Sequence, residues 1–116
     1  MIHVDDLEAK RKKTLDEYNT TTEKYMESVV IQAEAKFEYI KLLAKQIMKN
    51  PKIAIEKIIS QSLVDTSFEH RIKFSENYHN FEYNKALCKG LEQRIAYLQT
   101  ELSTMQSYMK YISNNG

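Results

Sequence analysis

Glycine and proline are scarce in this chain, with two Gly and one Pro among 116 residues, about 3% where roughly 12% is usual. Tight turns, hairpins and sandwiches need these residues at their corners, so the shortage nearly excludes an all-β or Rossmann-like fold. Tryptophan is absent. A single cysteine, Cys88, allows no internal disulfide, which suits a reducing compartment. Long apolar runs are missing too: Val29–Ile31 and Leu42–Ala44 are three residues each, far short of the roughly 20 needed to span a bilayer. No membrane contact is expected. The opening Met-Ile-His-Val-Asp-Asp has neither the cationic start nor the apolar stretch of a signal peptide, so a cytoplasmic location is expected. Charge of one sign is not in excess either, with 17 Lys and Arg against 16 Asp and Glu. Any affinity for nucleic acid must therefore come from local patches.

What the chain does have is helical periodicity. From about residue 5 to residue 49, Val4, Leu7, Leu15, Tyr18, Tyr25, Val29, Ala33, Phe37, Ile40, Ala44 and Ile47 recur at the spacing of one helix face. Asp5 or Asp6 can cap the start. The β-branched run Thr20-Thr21-Thr22 after Asn19 weakens helix propensity and leaves a bend or break open. Asn50-Pro51 ends this helix and can start another, because proline suits a first helical position. A short connector helix over 51–62 then turns Ile55, Ile58 and Ile59 inward, with a strand as the alternative for so β-branched a segment. Asp65, or Thr66 with Glu69 as a capping box, restarts the chain.

The last segment, 66–112, carries Leu87, Leu91, Ile95, Leu98, Leu102, Met105, Met109 and Ile112 at steps of 4, 4, 3, 4, 3, 4 and 3. That is nearly four heptads of coiled-coil seam. Gly90 within it marks a close helix approach, and Ser113 onward is expected to fray. The expected fold is all-α, a single helical domain over 1–116. A long helix, a short connector helix and a second long helix form an antiparallel helical hairpin, or coiled coil. Spare apolar surface on the last seam makes Leu87, Leu91, Ile95, Leu98, Leu102, Met105 and Met109 the expected oligomer interface, and a homo-oligomer the expected state.

The most function-like feature is a lysine ridge. Lys41, Lys45 and Lys49 lie four residues apart on one helix face, followed by Lys52 and Lys57. Between Lys36 and Lys57 six lysines face only Glu38 and Glu56, a local charge of +4. Such a stripe can neutralise phosphates, with Phe37 and Tyr39 as stacking faces nearby. It can equally be a solvated helix face with Phe37 in the core. The cluster Lys10-Arg11-Lys12-Lys13 wraps around its helix among acidic neighbours and reads as intrahelical ion pairing. Glu76-x-x-His79 has the spacing of one half of a bundle di-iron site, but it has no second copy. His3 and His70 lack matching carboxylates, so no metal and no cofactor are expected. The aromatic and amide-rich run Phe74–Asn84 reads as helix packing or as a base-stacking surface. Cys88 beside the seam reads as a small buried hydrophobe. No catalytic triad, glycine-rich phosphate loop or paired-cysteine motif occurs, so catalysis is not expected.

The run Leu91-Glu-Gln-Arg-Ile-Ala-Tyr-Leu-Gln-Thr-Glu-Leu-Ser-Thr-Met-Gln-Ser, after a long charged helix and a variable middle, resembles the UvsY family of recombination mediators of tailed bacteriophages. The stretch Ala33-Glu-Ala-Lys-Phe-Glu-Tyr-Ile-Lys-Leu-Leu-Ala-Lys resembles that family's first conserved block, and the similarity covers roughly residues 33 to 107. The resemblance implies a ring-forming protein that binds single-stranded DNA. It would help load a recombinase onto strands coated by single-strand-binding protein, in the host cytoplasm if the chain is phage-encoded. Basic residues near the end of the first helix contact DNA in that family, and Lys41, Lys45 and Lys49 match them, with Lys52 just beyond. The ridge departs from the family in lacking arginine and a following tyrosine pair, which supports phosphate contact over base stacking. The alternative function is a coiled-coil protein-interaction module, such as an adaptor or a small phage inhibitor of a host or defence protein, without nucleic-acid binding.

Overall fold

The computed structural model describes residues 4–64 and 68–115, with side chains at 4–64 and 71–114. Among these residues the order is α1 (Val4–Lys49), α2 (Ile55–Leu63) and α3 (Phe68–Asn115), with no strand. The chain is all-α, long helix, short helix, long helix, as its periodicity predicts, and the strand alternative for the connector does not form.

Asp5 and Asp6 occupy the first turn of α1 and Lys49 its last, each at the end of the helix dipole that favours its charge. The helix runs unbroken through Thr20-Thr21-Thr22. Thr21 is buried, and the Thr22 hydroxyl donates to the Tyr18 carbonyl at 2.8 Å, so the β-branched run is absorbed without a break. At the other end Asn50 closes α1: its backbone N–H donates to the Gln46 and Ile47 carbonyls and its side-chain amide to Gln46, all at 3.1 Å. Pro51 does not open the next helix. It sits in a turn closed by the Ile53 N–H on the Asn50 carbonyl at 3.2 Å, and α2 begins four residues later at Ile55.

In α2 the inward residues are Ile58, 2% exposed, and Ser62, 4% exposed. Ile59 is half-buried, and Ile55, expected inward, is exposed at the first position of the helix, one turn before Ile58. Ala54 sits at the N-cap with extended backbone and no side-chain hydrogen bond, so the first-turn amides lack the partner a Ser or Asp would supply. Ala54→Ser is expected to stabilise the protein by about 0.5–1 kcal/mol, read as a higher urea midpoint; an unchanged or lower midpoint would contradict this. The caps expected at Asp65, Thr66 and Glu69, and the histidines His3 and His70, lie outside the described residues or side chains. Ser113 and Asn114 are helical rather than frayed.

The chain divides into two compact units, one joining residues up to Glu27 with those from Cys88 onward, the other spanning Ser28–Leu87. In the first, α1 and α3 run antiparallel. Tyr25 donates to the Glu92 carboxylate at 2.6 Å, Gln99 donates to the Tyr18 hydroxyl at 3.2 Å, and Arg94 pairs with Glu17. Leu7, Cys88, Leu98 and Met105 are its buried apolar residues. In the second unit, Tyr39 of α1 sits among Phe74, Tyr78 and Phe81 of α3, with ring centroids at 5.8, 5.6 and 5.4 Å. The aromatic run of α3 is thus a core rather than a base-stacking surface, with Tyr83 and the imidazole of His79 exposed.

The face that α1 buries differs from the face its apolar residues predict. Leu7, Thr14, Thr21, Ser28 and Ala35 are buried at steps of seven, followed by Tyr39 and Gln46. Val4, Leu15, Val29, Phe37 and Ile40, expected inside, are exposed, as are Ala33 and Ala44. Small and polar side chains can let two helix backbones approach closely, and it is this face, not the more apolar one, that α1 buries.

Candidate nucleic-acid interface

The lysine ridge stands in solvent on the last turns of α1 and the turn that follows. Lys41, Lys45, Lys49 and Lys52 are all exposed, and so is Lys57 on α2. The i, i+4 spacing in an unbroken helix puts Lys41, Lys45 and Lys49 in one row. Lys41 is engaged locally: its ammonium lies 3.5 Å from the Glu38 carboxylate and 5.3 Å from the centre of the Phe37 ring. Among the described residues, Lys45, Lys49 and Lys52 form no ion pair, so their charge is open to an external anion.

The two aromatic neighbours part company. Tyr39 is 6% exposed and built into the aromatic core, where burial, with Tyr78 and Glu82 adding, raises its phenol above the ordinary tyrosine range. It offers no face to a base. Phe37, expected in the core if the ridge is mere solvation, is instead 64% exposed, beside a shallow dent lined by Ala33, Glu34 and Glu38. The ridge therefore supplies charge and one aromatic surface.

The other singled-out residues fall elsewhere. Lys10, Lys12 and Lys13 are exposed and, among the described residues, make no ion pair; Arg11 is half-buried with its Nε lacking a hydrogen-bond partner. The intrahelical pairing expected of this cluster does not form, and Glu17 reaches across to Arg94, whose guanidinium it holds charged to higher pH than usual. Tyr25, through its hydrogen bond to Glu92 and then burial, is likewise raised above the ordinary tyrosine value. Glu76 and His79 are both exposed, His79 stacking edge-on against Tyr78 at 5.3 Å. No three of His, Cys, Asp and Glu come together among the described residues as metal ligands would.

The heptad seam of α3 is largely engaged within one chain. Leu98 is fully buried and Met105 7% exposed, Leu91, Ile95, Leu102 and Met109 are half-buried, and Leu87 is 43% exposed. Of the expected oligomer interface, Leu98 and Met105 are thus taken up within the chain, while Leu87 stands exposed. Further exposed apolar residues lie on α1, among them Val29, Phe37 and Ile40, which sequence periodicity finds but assigns to the inside. Gly90 has no neighbour within 4 Å of where a Cβ would stand, so no close helix approach explains it. No helix among the described residues is long and apolar enough to cross a membrane. Comparison with known protein families, curated proteins and solved structures yields no match.

Proposed function

We propose that this protein is a non-enzymatic single-stranded DNA-binding protein that acts as a recombination mediator. It holds the strand electrostatically along Lys41, Lys45, Lys49 and Lys52. Its partners, on the resemblance to the phage mediators, are a recombinase or a single-strand-binding protein. The observation that carries this reading is the exposed lysine row, with no competing ion pair at Lys45, Lys49 or Lys52 among the described residues. Lysine contacts phosphate as a point charge without reading sequence, so binding is expected to be sequence-independent and salt-sensitive. With Tyr39 buried, stacking contributes through Phe37 at most.

Anisotropy with a labelled single strand tests it. Micromolar or tighter binding that weakens steeply with salt is expected. Lys41→Ala, Lys45→Ala and Lys49→Ala together should weaken binding and flatten the log–log salt slope by about 2, from roughly 0.7 per phosphate no longer neutralised. An unchanged slope would remove the ridge from the site.

A second reading, a coiled-coil module that binds protein and not nucleic acid, is favoured by one observation: the exposed apolar row of α1 around Phe37. Absence of any single-strand binding at low salt would select it.

A further inference from the structure

The second unit leaves an apolar row on the outside of α1. Val30, Ala33, Phe37, Ile40, Ala44 and Ile47 follow one another at steps of 3, 4, 3, 4 and 3. That is a heptad seam as regular as the one on α3. Val30 is 58%, Phe37 64% and Ile40 47% exposed, Ala33 and Ala44 are exposed, and Ile47 is half-buried. The opposite face of the same helix buries Ser28, Ala35, Tyr39 and Gln46. A helix with its apolar side out and its polar side in is one whose second face has another helix to meet.

Charge says which helix. Beside the seam, at the positions that follow its core residues, stand Glu34 and, seven residues on, Lys41. On the other flank Lys36 precedes Phe37. Two copies of this segment laid antiparallel, with the two-fold axis near Phe37, set Glu34 of each against Lys41 of the other, twice. Laid parallel, they set Lys36 of each against Lys41 of the other, a like-charge contact made twice. Lys41 already pairs with Glu38 on its own helix at 3.5 Å, with both side chains about half exposed, so Glu34 of a second copy would complete an acidic pair around its ammonium.

We infer that the outward seam of α1, from Val30 to Ile47, is a homodimer interface in which a second copy of this chain docks antiparallel across Phe37. The partner is the chain itself because the segment is complementary to its own reverse in charge and repeats the same heptad spacing. An isologous contact of this kind closes on itself at two copies. The seam shares Phe37 and Lys41 with the proposed strand-binding row and leaves Lys45, Lys49 and Lys52 outside it, and its test uses no nucleic acid.

The experiment is sedimentation equilibrium of the full chain over a concentration series, with far-UV circular dichroism as the control for folding. The wild type should show a mass of twice 13.7 kDa, about 27 kDa. Phe37→Glu should raise the dissociation constant by at least about thirtyfold, the range of a central interface residue. Helix content at matched concentration should be kept, because Phe37 takes no part in the core of its own chain. Glu34→Lys and Lys41→Glu should each weaken the dimer about threefold to tenfold, and the two changes together should restore it, since the swapped pair is again complementary. A monomeric wild type, a Phe37→Glu variant that still dimerises, a species larger than a dimer, or a double variant weaker than either single one would each overturn the inference.

Discussion

Phe74→Ala is expected to lower the stability of the protein by about 3–5 kcal/mol, a large part of the roughly 5–15 kcal/mol that holds a domain of this kind together. Phe74 is 1% exposed and stands with Tyr78 and Phe81 around Tyr39, so its removal opens a void that neighbouring rings fixed on a helix cannot close. Urea unfolding followed by circular dichroism measures the effect. Tyr83→Ala is the comparison, because Tyr83 lies on the same helix but is 66% exposed, and it should shift stability by less than about 0.5 kcal/mol. Equal losses from the two substitutions would mean that the aromatic cluster is not the core of its unit.

The second large effect belongs to the other unit. Leu98 has no exposed surface, and Leu98→Ala should lower stability by about 2–5 kcal/mol through lost burial and the cavity left behind. Hydrogen exchange adds a spatial readout to the magnitude. The variant should speed exchange most in residues 4–27 and 88–115, whereas Phe74→Ala should speed it most within residues 28–87. Uniform acceleration by both variants would show that the two units open as one.

The helices were legible in the sequence because their signals are local. The dearth of Gly and Pro, the acidic first turn of α1 and the block at Asn50-Pro51 each act within a few residues, and α1 ends at Lys49 as the proline requires. The seam of α3 was legible because its large aliphatic side chains carry a strong period, and Leu98 and Met105 are indeed its most buried members. The buried face of α1 was not. Its residues at steps of seven are mostly Thr, Ser and Ala, which carry almost no hydropathy signal, while the apolar residues that do carry one belong to the outward seam. Hydropathy alone merges these two opposite faces into one. At the candidate site the ridge of Lys41, Lys45 and Lys49 was legible from spacing alone. The separate fates of Phe37 and Tyr39, two residues apart, were set by which face α1 turns inward, and that choice is tertiary.

In the second unit Ser28 and Ala35, both small, stand seven residues apart, which leaves that part of α1 nearly the same to its partner after a slide of one heptad, about 10.5 Å along the axis. Small side chains of almost equal size do not fix where such a slide should stop. Tyr39 fixes it. Seven residues to either side of it stand Gln32 and Gln46, so a slip in either direction would withdraw the phenol from between Phe74, Tyr78 and Phe81 and press a glutamine amide among the rings. An amide without hydrogen-bond partners in such surroundings costs on the order of 1–3 kcal/mol, and the packing of the phenol against the three rings is forfeited as well. Within its unit, one aromatic residue among small neighbours thus works as a key that sets the register of the two helices.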